Sequence, residues 1–132
     1  MDNLKENQVI FKTPNIEVST RLIDGEFPDY EKIIPAAFTT EAVLSVSELT
    51  NAVRLAAIFA KDSANIVKLR FLPEEVKLLL SANTAEVGEN ETSLDGQITG
   101  EPGEIAFNAK YLLDCLNNLE AEKLVFRLGG SL

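Results

Sequence analysis

Two spacings recur along this chain. A period of two marks strands, and a period near 3.6 marks helices. Between Ile16 and Ile23, Ile16, Val18, Thr20 and Leu22 fall on one side and Glu17, Ser19 and Arg21 on the other. This predicts a strand buried on one face. The run from Gln8 to Thr13 precedes it across Pro14-Asn15, a turn signal, so the two form a hairpin. Asp24-Gly25 breaks the strand, Phe27 to Tyr30 is a connector, and Pro35 closes the short segment Tyr30 to Ile34. Ile66 to Leu72 alternates in the same way, with Val67, Leu69 and Phe71 against Lys68 and Arg70. Pro73-Glu74-Glu75 turns it into a further strand from Val76 to Ala82. Ala42 to Val46, Glu104 to Phe107 and Lys123 to Leu128 also read as strands, and the polar, Gly-containing stretch from Glu86 to Thr99 reads as an extended pair or one long exposed strand.

Two segments carry helical spacing. Leu49, Ala52, Val53, Ala56 and Ala60 recur on one face after Ser47, read as the N-cap, with Glu48 in the first turn, where its charge suits the helix dipole. Asp62 to Asn65 ends that helix. Asn108 caps a second helix whose stripe is Leu112, Cys115, Leu116 and Leu119. The order strand, polar cap, helix, strand therefore occurs twice, at a period of about 60 residues. The expected fold class is α+β: two helices packed side by side on antiparallel β-sheets, built from internally duplicated β-α-β-β units. Only one strand follows the second helix, so the second unit is expected to be truncated at the C-terminus.

Composition narrows the chemistry. The chain has 132 residues, with 21 acidic and 12 basic side chains and no His, for a formal charge of −9. Without imidazole, the common His-based acid–base and metal chemistries are excluded. Cys115 is alone, so no disulfide framework exists, and its place on the apolar stripe predicts a buried structural thiol. A globally basic nucleic-acid binder is excluded, although a local basic surface is not. The longest apolar run, Leu55 to Ala60, is far short of the roughly 20 residues of a membrane span. With a polar N-terminal segment, this points to the cytoplasm. Asp29, Glu31, Glu74, Glu75, Glu101 and Glu104 make short-spaced carboxylate pairs, but they fall in turns and on exposed faces without a His or Cys companion. Gly129-Gly130 is too short for a phosphate loop. No catalytic group, metal or cofactor is implied, and a small hydrolase has no candidate residue.

Two segments carry a resemblance. Arg21-Leu22-Ile23-Asp24-Gly25-Glu26-Phe27-Pro28-Asp29-Tyr30, followed by Ile33-Ile34-Pro35, is similar to the passage from the second to the third domain of the bacterial sliding clamp family, the beta subunit of DNA polymerase III. Glu104-Ile105-Ala106-Phe107-Asn108-Ala109-Lys110-Tyr111-Leu112, continuing to Leu116, resembles a second segment of that family, in the right order and roughly 80 residues on. The resemblance covers nearly the whole chain. It implies a fragment: residues 1–29 are the last strands of the middle domain, and residues 30–132 are the third domain without its final strands. The hairpin from Gln8 to Ile23 would pair with the rest of that middle domain, and alone its edge invites pairing between chains.

The resemblance implies a non-catalytic processivity factor. Such clamps close as head-to-tail homodimer rings around duplex DNA, without sequence preference, and tether the polymerase. Attraction to phosphate is independent of sequence and needs few cations, so an acidic exterior is compatible with sliding. At ~100° per residue, Arg54 and Lys61 lie away from the first apolar stripe and Lys110 away from the second, which makes them the DNA-facing candidates. Ile58 points nearly opposite the core with Phe59 at the stripe's edge, and the resemblance makes them subunit-interface candidates. Polymerase and clamp-loader peptides dock in an apolar pocket between the second and third domains of the family, and the matching residues are Pro28, Lys32, Ile33, Ala64, Asn108 and Tyr111. Lys32 stands where the family often has Arg, which weakens a bidentate contact. Ala64 stands where some relatives carry a larger aromatic. A different class, a β-rich acidic protein-interaction domain unrelated to clamps, is the alternative.

Overall fold

Residues 7–84 and 88–129 are described by a computed structural model of the chain. Glu86, at the start of the expected extended pair, and Gly130 to Leu132 lie outside them. The chain divides into a small unit, Met1–Ile34, and a larger one, Pro35–Leu132.

In the small unit, β1 (Gln8–Lys12) and β2 (Glu17–Arg21) form the expected antiparallel hairpin, with Phe11 opposite Val18. The Pro14-Asn15 turn is closed by the Thr13 N–H, which donates to the Ile16 carbonyl at 2.8 Å. The expectation of a half-buried second strand is corrected, because all of β2 is exposed. Its side chains alternate, but no layer covers either face among the described residues. The short segment after the connector is a helix, α1 (Tyr30–Ile33), capped by the Asp29 carboxylate, which accepts the Glu31 N–H at 3.2 Å.

The larger unit grows from the second alternating run. Val67, Leu69 and Phe71 of β4 (Ile66–Leu72) are fully buried, while Lys68 and Arg70 face out. A 3-10 turn at Pro73–Glu75 leads to β5 (Lys77–Thr84), and β6 (Gly88–Asp95) pairs with β5. With β8 (Gly103–Asn108) they form one sheet, ordered β6-β5-β4-β8. The other sheet is ordered β7-β3-β9, from β3 (Thr40–Ser45), β7 (Gln97–Gly100) and β9 (Lys123–Leu128). Gly100 turns the chain between β7 and β8 at φ +97, and a Cβ there would run into the Thr39 carbonyl. The polar stretch is thus two strands in two different sheets.

The helices are α2 (Val46–Ala60) and α3 (Ala109–Asn117). The cap of α2 is Ser45 rather than Ser47: the Ser45 hydroxyl accepts the Glu48 N–H at 3.4 Å. Ser45-x-x-Glu48 is a capping-box spacing, and Val46 is drawn into the helix because its side chain is buried there. Asn108 caps α3 as expected, with its Oδ1 accepting the Lys110 N–H at 3.0 Å. Cys115 is exposed, which corrects the buried-thiol reading. Helix α3 stops at Asn117, and its core contacts come from Ala109, Leu112 and Leu116, so Leu119 lies beyond the helix and is 40% exposed.

The duplication is visible in the pairing. Strand β3 leads into α2 and then β4, and β8 leads into α3 and then β9. Each unit's first strand pairs antiparallel with the other's second, β3 with β9 and β4 with β8. One apolar cluster fills the interior: Leu44, Leu49, Val53, Leu69, Phe71, Leu78 and Leu80 are its largest sealed side chains, apart from Val67. Phe126 of β9 stacks obliquely on Phe71 and edge-on to Phe107, with ring centres 5.9 and 6.0 Å apart, which ties the two sheets together.

Candidate functional site

The α2 and α3 helices lie against each other and run antiparallel, as two ties fix. The Arg54 Nη2 donates to Asn117 Oδ1 at 2.9 Å near the end of α3, and the Ala109 N–H donates to the Asn65 carbonyl at 2.7 Å at its start. Each helix turns its apolar stripe into the core, so the cations are left on the outer face. Arg54, Lys61 and Lys110 are all exposed. Arg54 and Lys61 are seven residues apart, about 10 Å along a helix, and Lys61 and Lys110 occupy the same end of the pair. Asp114 is exposed four residues beyond Lys110, so this face is mixed in sign.

Further round α2, Ile58 is 63% exposed, as its helical position requires. Phe59 is different, because it is partly buried and packs against the core cluster. Leu55, which the sequence reasoning passed over, is 45% exposed on the same side as Ile58. It borders a cleft between α2 and β6, lined also by Glu48, Asn51, Ala52 and Leu94. The signal was available: Leu55 sits outside the Leu49/Val53/Ala56 stripe on the same helical wheel.

Three of the six peptide-pocket candidates belong to the larger unit and come together there. The Asn108 Nδ2 donates to the Ala64 carbonyl at 3.5 Å, and Tyr111, in the first turn of α3, is 75% exposed. Ala64 is exposed. The other three lie in the small unit. Pro28 is exposed before α1, Ile33 is 70% exposed, and the Lys32 Nζ is 3.4 Å from Oδ2 of Asp29, the cap of α1. Among the short-spaced carboxylates, Glu104 is shared by Arg70 at 3.1 Å and Lys68 at 3.9 Å.

A duplicated two-sheet module with paired helices on one side is the architecture of a DNA-clamp domain, and solved structures agree. A DNA polymerase III beta subunit from Thermotoga maritima superposes with a TM-score of 0.74 at 29% identity, over 94% of this chain and 33% of its own. A sliding clamp from Bartonella birtlesii, bound to griselimycin, gives 0.73 at 31% identity, over 96% of this chain and 34% of its own. The chain belongs to the DNA polymerase III beta subunit family, matching the model of its C-terminal domain over residues 31–132. It is similar to the beta sliding clamp of Bacillus subtilis (strain 168), 34% identical over 131 residues. Those residues are 98% of this chain and 34% of that protein, so the chain spans about a third of the length of the relative it matches. The match gives no support to a clamp-unrelated interaction domain.

Proposed function

We propose that this chain is the C-terminal part of a DNA sliding clamp, a non-catalytic processivity factor that encircles duplex DNA as a head-to-tail homodimer ring. The observation that carries this reading is the antiparallel α2–α3 pair, whose outward face presents Arg54, Lys61 and Lys110. Three cations are few, and that suits sliding: the phosphate attraction holds the duplex without fixing a register. The domain division follows the same reading. Residues 1–29 close the preceding domain and residues 30–132 form the third, which is supported by the family match from residue 31 and the unit boundary after Ile34.

Ile58 and Phe59 form part of the subunit contact, with Leu55 beside them. Ala64, Asn108 and Tyr111 of the larger unit, and Pro28, Lys32 and Ile33 of the small one, contact peptides from the polymerase and the clamp loader. The griselimycin complex of the Bartonella birtlesii relative supports a ligand-accepting surface in such clamps. The protein acts in the cytoplasm, without a membrane partner.

Processivity tests the whole reading. Full-length subunit and loader, added to the cognate polymerase on primed DNA, lengthen the products. Unchanged product length refutes it. Ile58→Ala combined with Phe59→Ala gives monomers by sedimentation, and an intact ring under these substitutions removes the interface assignment.

A further inference from the structure

The segment joining α2 to β4 contains two successive left-handed residues, Ala64 at φ 54 and Asn65 at φ 58. Asn enters that region more readily than most side chains, whereas Ala pays the full Cβ penalty. The amides of Ser63 and Asn65 both turn back to the Ala60 carbonyl, at 3.0 and 2.9 Å, which closes α2. The carbonyls point the other way. The Asn65 carbonyl accepts the Ala109 N–H at 2.7 Å, and the Ala64 carbonyl accepts the Asn108 Nδ2 at 3.5 Å.

These two bonds act on one place. The first amides of a helix lack partners within it. In α3, Ala109 finds Asn65, and Lys110 finds the Asn108 Oδ1 at 3.0 Å. The Asn108 amide is therefore held at both ends, by its own helix through Oδ1 and by the Ala64 carbonyl through Nδ2. Its plane and the direction of the first turn of α3, which carries Tyr111, are set from outside the helix.

We propose that Asn65 is a positioning residue for peptide docking: its left-handed backbone, in tandem with Ala64, presents two successive carbonyls to the start of α3 and fixes Asn108 and Tyr111 in their binding orientation. This rests on the reading of Asn108 and Tyr111 as peptide contacts. The essential property is the backbone conformation and not the carboxamide, so Gly replaces Asn65 and a β-branched residue does not.

The test is the anisotropy of a short fluorescein-labelled peptide with Leu and Phe anchors, titrated with the full-length subunit. Asn65→Val weakens binding at least tenfold, and Asn65→Gly stays within twofold of the unmodified protein. Ile98→Ala, in the buried side of β7, serves as a control for general destabilisation and keeps its affinity while its melting temperature falls. Should Asn65→Val fail to fold, Asn65→Ala takes its place, with affinity clearly below that of the Gly variant. The proposal is overturned if Val (or Ala) binds as well as Gly, if Gly loses as much as Val, or if Ile98→Ala loses as much. Asn108→Ala and Tyr111→Ala separate the two levels. If neither lowers affinity, the peptide reading itself fails; if both do and Asn65→Val does not, only the positioning role falls.

Discussion

The β1–β2 and β4–β5 hairpins follow the same pattern and end in opposite environments. Strands β2 and β4 alternate apolar and polar residues, and each hairpin turns at a Pro. In β4, Val67, Leu69 and Phe71 are sealed completely, whereas Phe11 and Val18 are 62% and 53% exposed. The difference is the layer above them. Strand β4 lies under the Leu49/Val53/Ala56 face of α2 within one apolar cluster, and β2 is exposed along its whole length. Alternation records that a strand needs a cover; it does not say which part of a protein supplies it. The beta sliding clamp of Bacillus subtilis is about three times this chain's length, and under the proposed domain division the cover for β2 is the rest of the preceding domain.

The largest effect that tests this contrast is a truncation in each hairpin. Phe71→Ala removes a fully buried ring that also contacts Phe126, and it costs this chain about 3–5 kcal/mol. Val18→Ala costs less than about 0.5 kcal/mol, as for an exposed site. Urea unfolding of the 132-residue chain measures both. In the full-length subunit, Val18→Ala rises well above that if the preceding domain covers β2. An unchanged small cost there would mean that the hairpin stays bare.

The sequence carried more of the larger unit than of its surfaces. Strand β4 and strand β9 were legible to the residue, β4 by its alternation between turn signals and β9 as a short apolar run before Gly129. Asn108 was legible as a cap because an amide follows an apolar strand and precedes a helical stripe. The cap of α2 was missed by two residues: two serines compete there, and only the burial of Val46 decides between them. Cys115 was misplaced since it neighbours the stripe, and a nine-residue helix buries a narrower face than the pattern indicates. The left-handed pair at Ala64 and Asn65 left no mark, because Ala is not a residue that announces such a turn. Ala64, Asn108 and Tyr111 could be named from resemblance, but the carbonyls that orient them could not.

The turns give the next effect. The first hairpin turns through Pro14-Asn15 with no residue at positive φ, while the second places Val76 at φ 56. A β-branched residue is strained there. Its amide donates to the Pro73 carbonyl at 3.2 Å and its carbonyl accepts the Gly96 N–H at 3.3 Å, so the backbone is held in place despite the side chain. Val76→Gly stabilises the chain by about 0.5–1 kcal/mol, the relief of the left-handed penalty less the entropy that Gly loses. Thermal unfolding reads this as a rise in the midpoint. A fall would show that the half-exposed Val side chain contributes more by packing than it costs in strain.

The smallest effect is electrostatic, and it sharpens the same comparison. Lys12 and Glu17 stand directly opposite each other across β1 and β2, with Nζ and Oε2 2.9 Å apart and both side chains more than half exposed. On β4 the corresponding feature is a three-residue set, Lys68 and Arg70 converging on Glu104, whose side chain is 44% exposed. An isolated exposed pair gains little, since water already solvates both charges and salt screens them. A double-mutant cycle on Lys12 and Glu17 yields a coupling of about 0.2–0.5 kcal/mol that fades in molar salt. The Arg70–Glu104 cycle yields more, because a second cation holds the carboxylate in place and Arg offers a planar fork. Equal couplings would mean that the flank of β4 is as fully hydrated as the free hairpin. A Lys12–Glu17 coupling that survives molar salt would place that pair under a layer of protein, in the position that the alternation of β2 calls for.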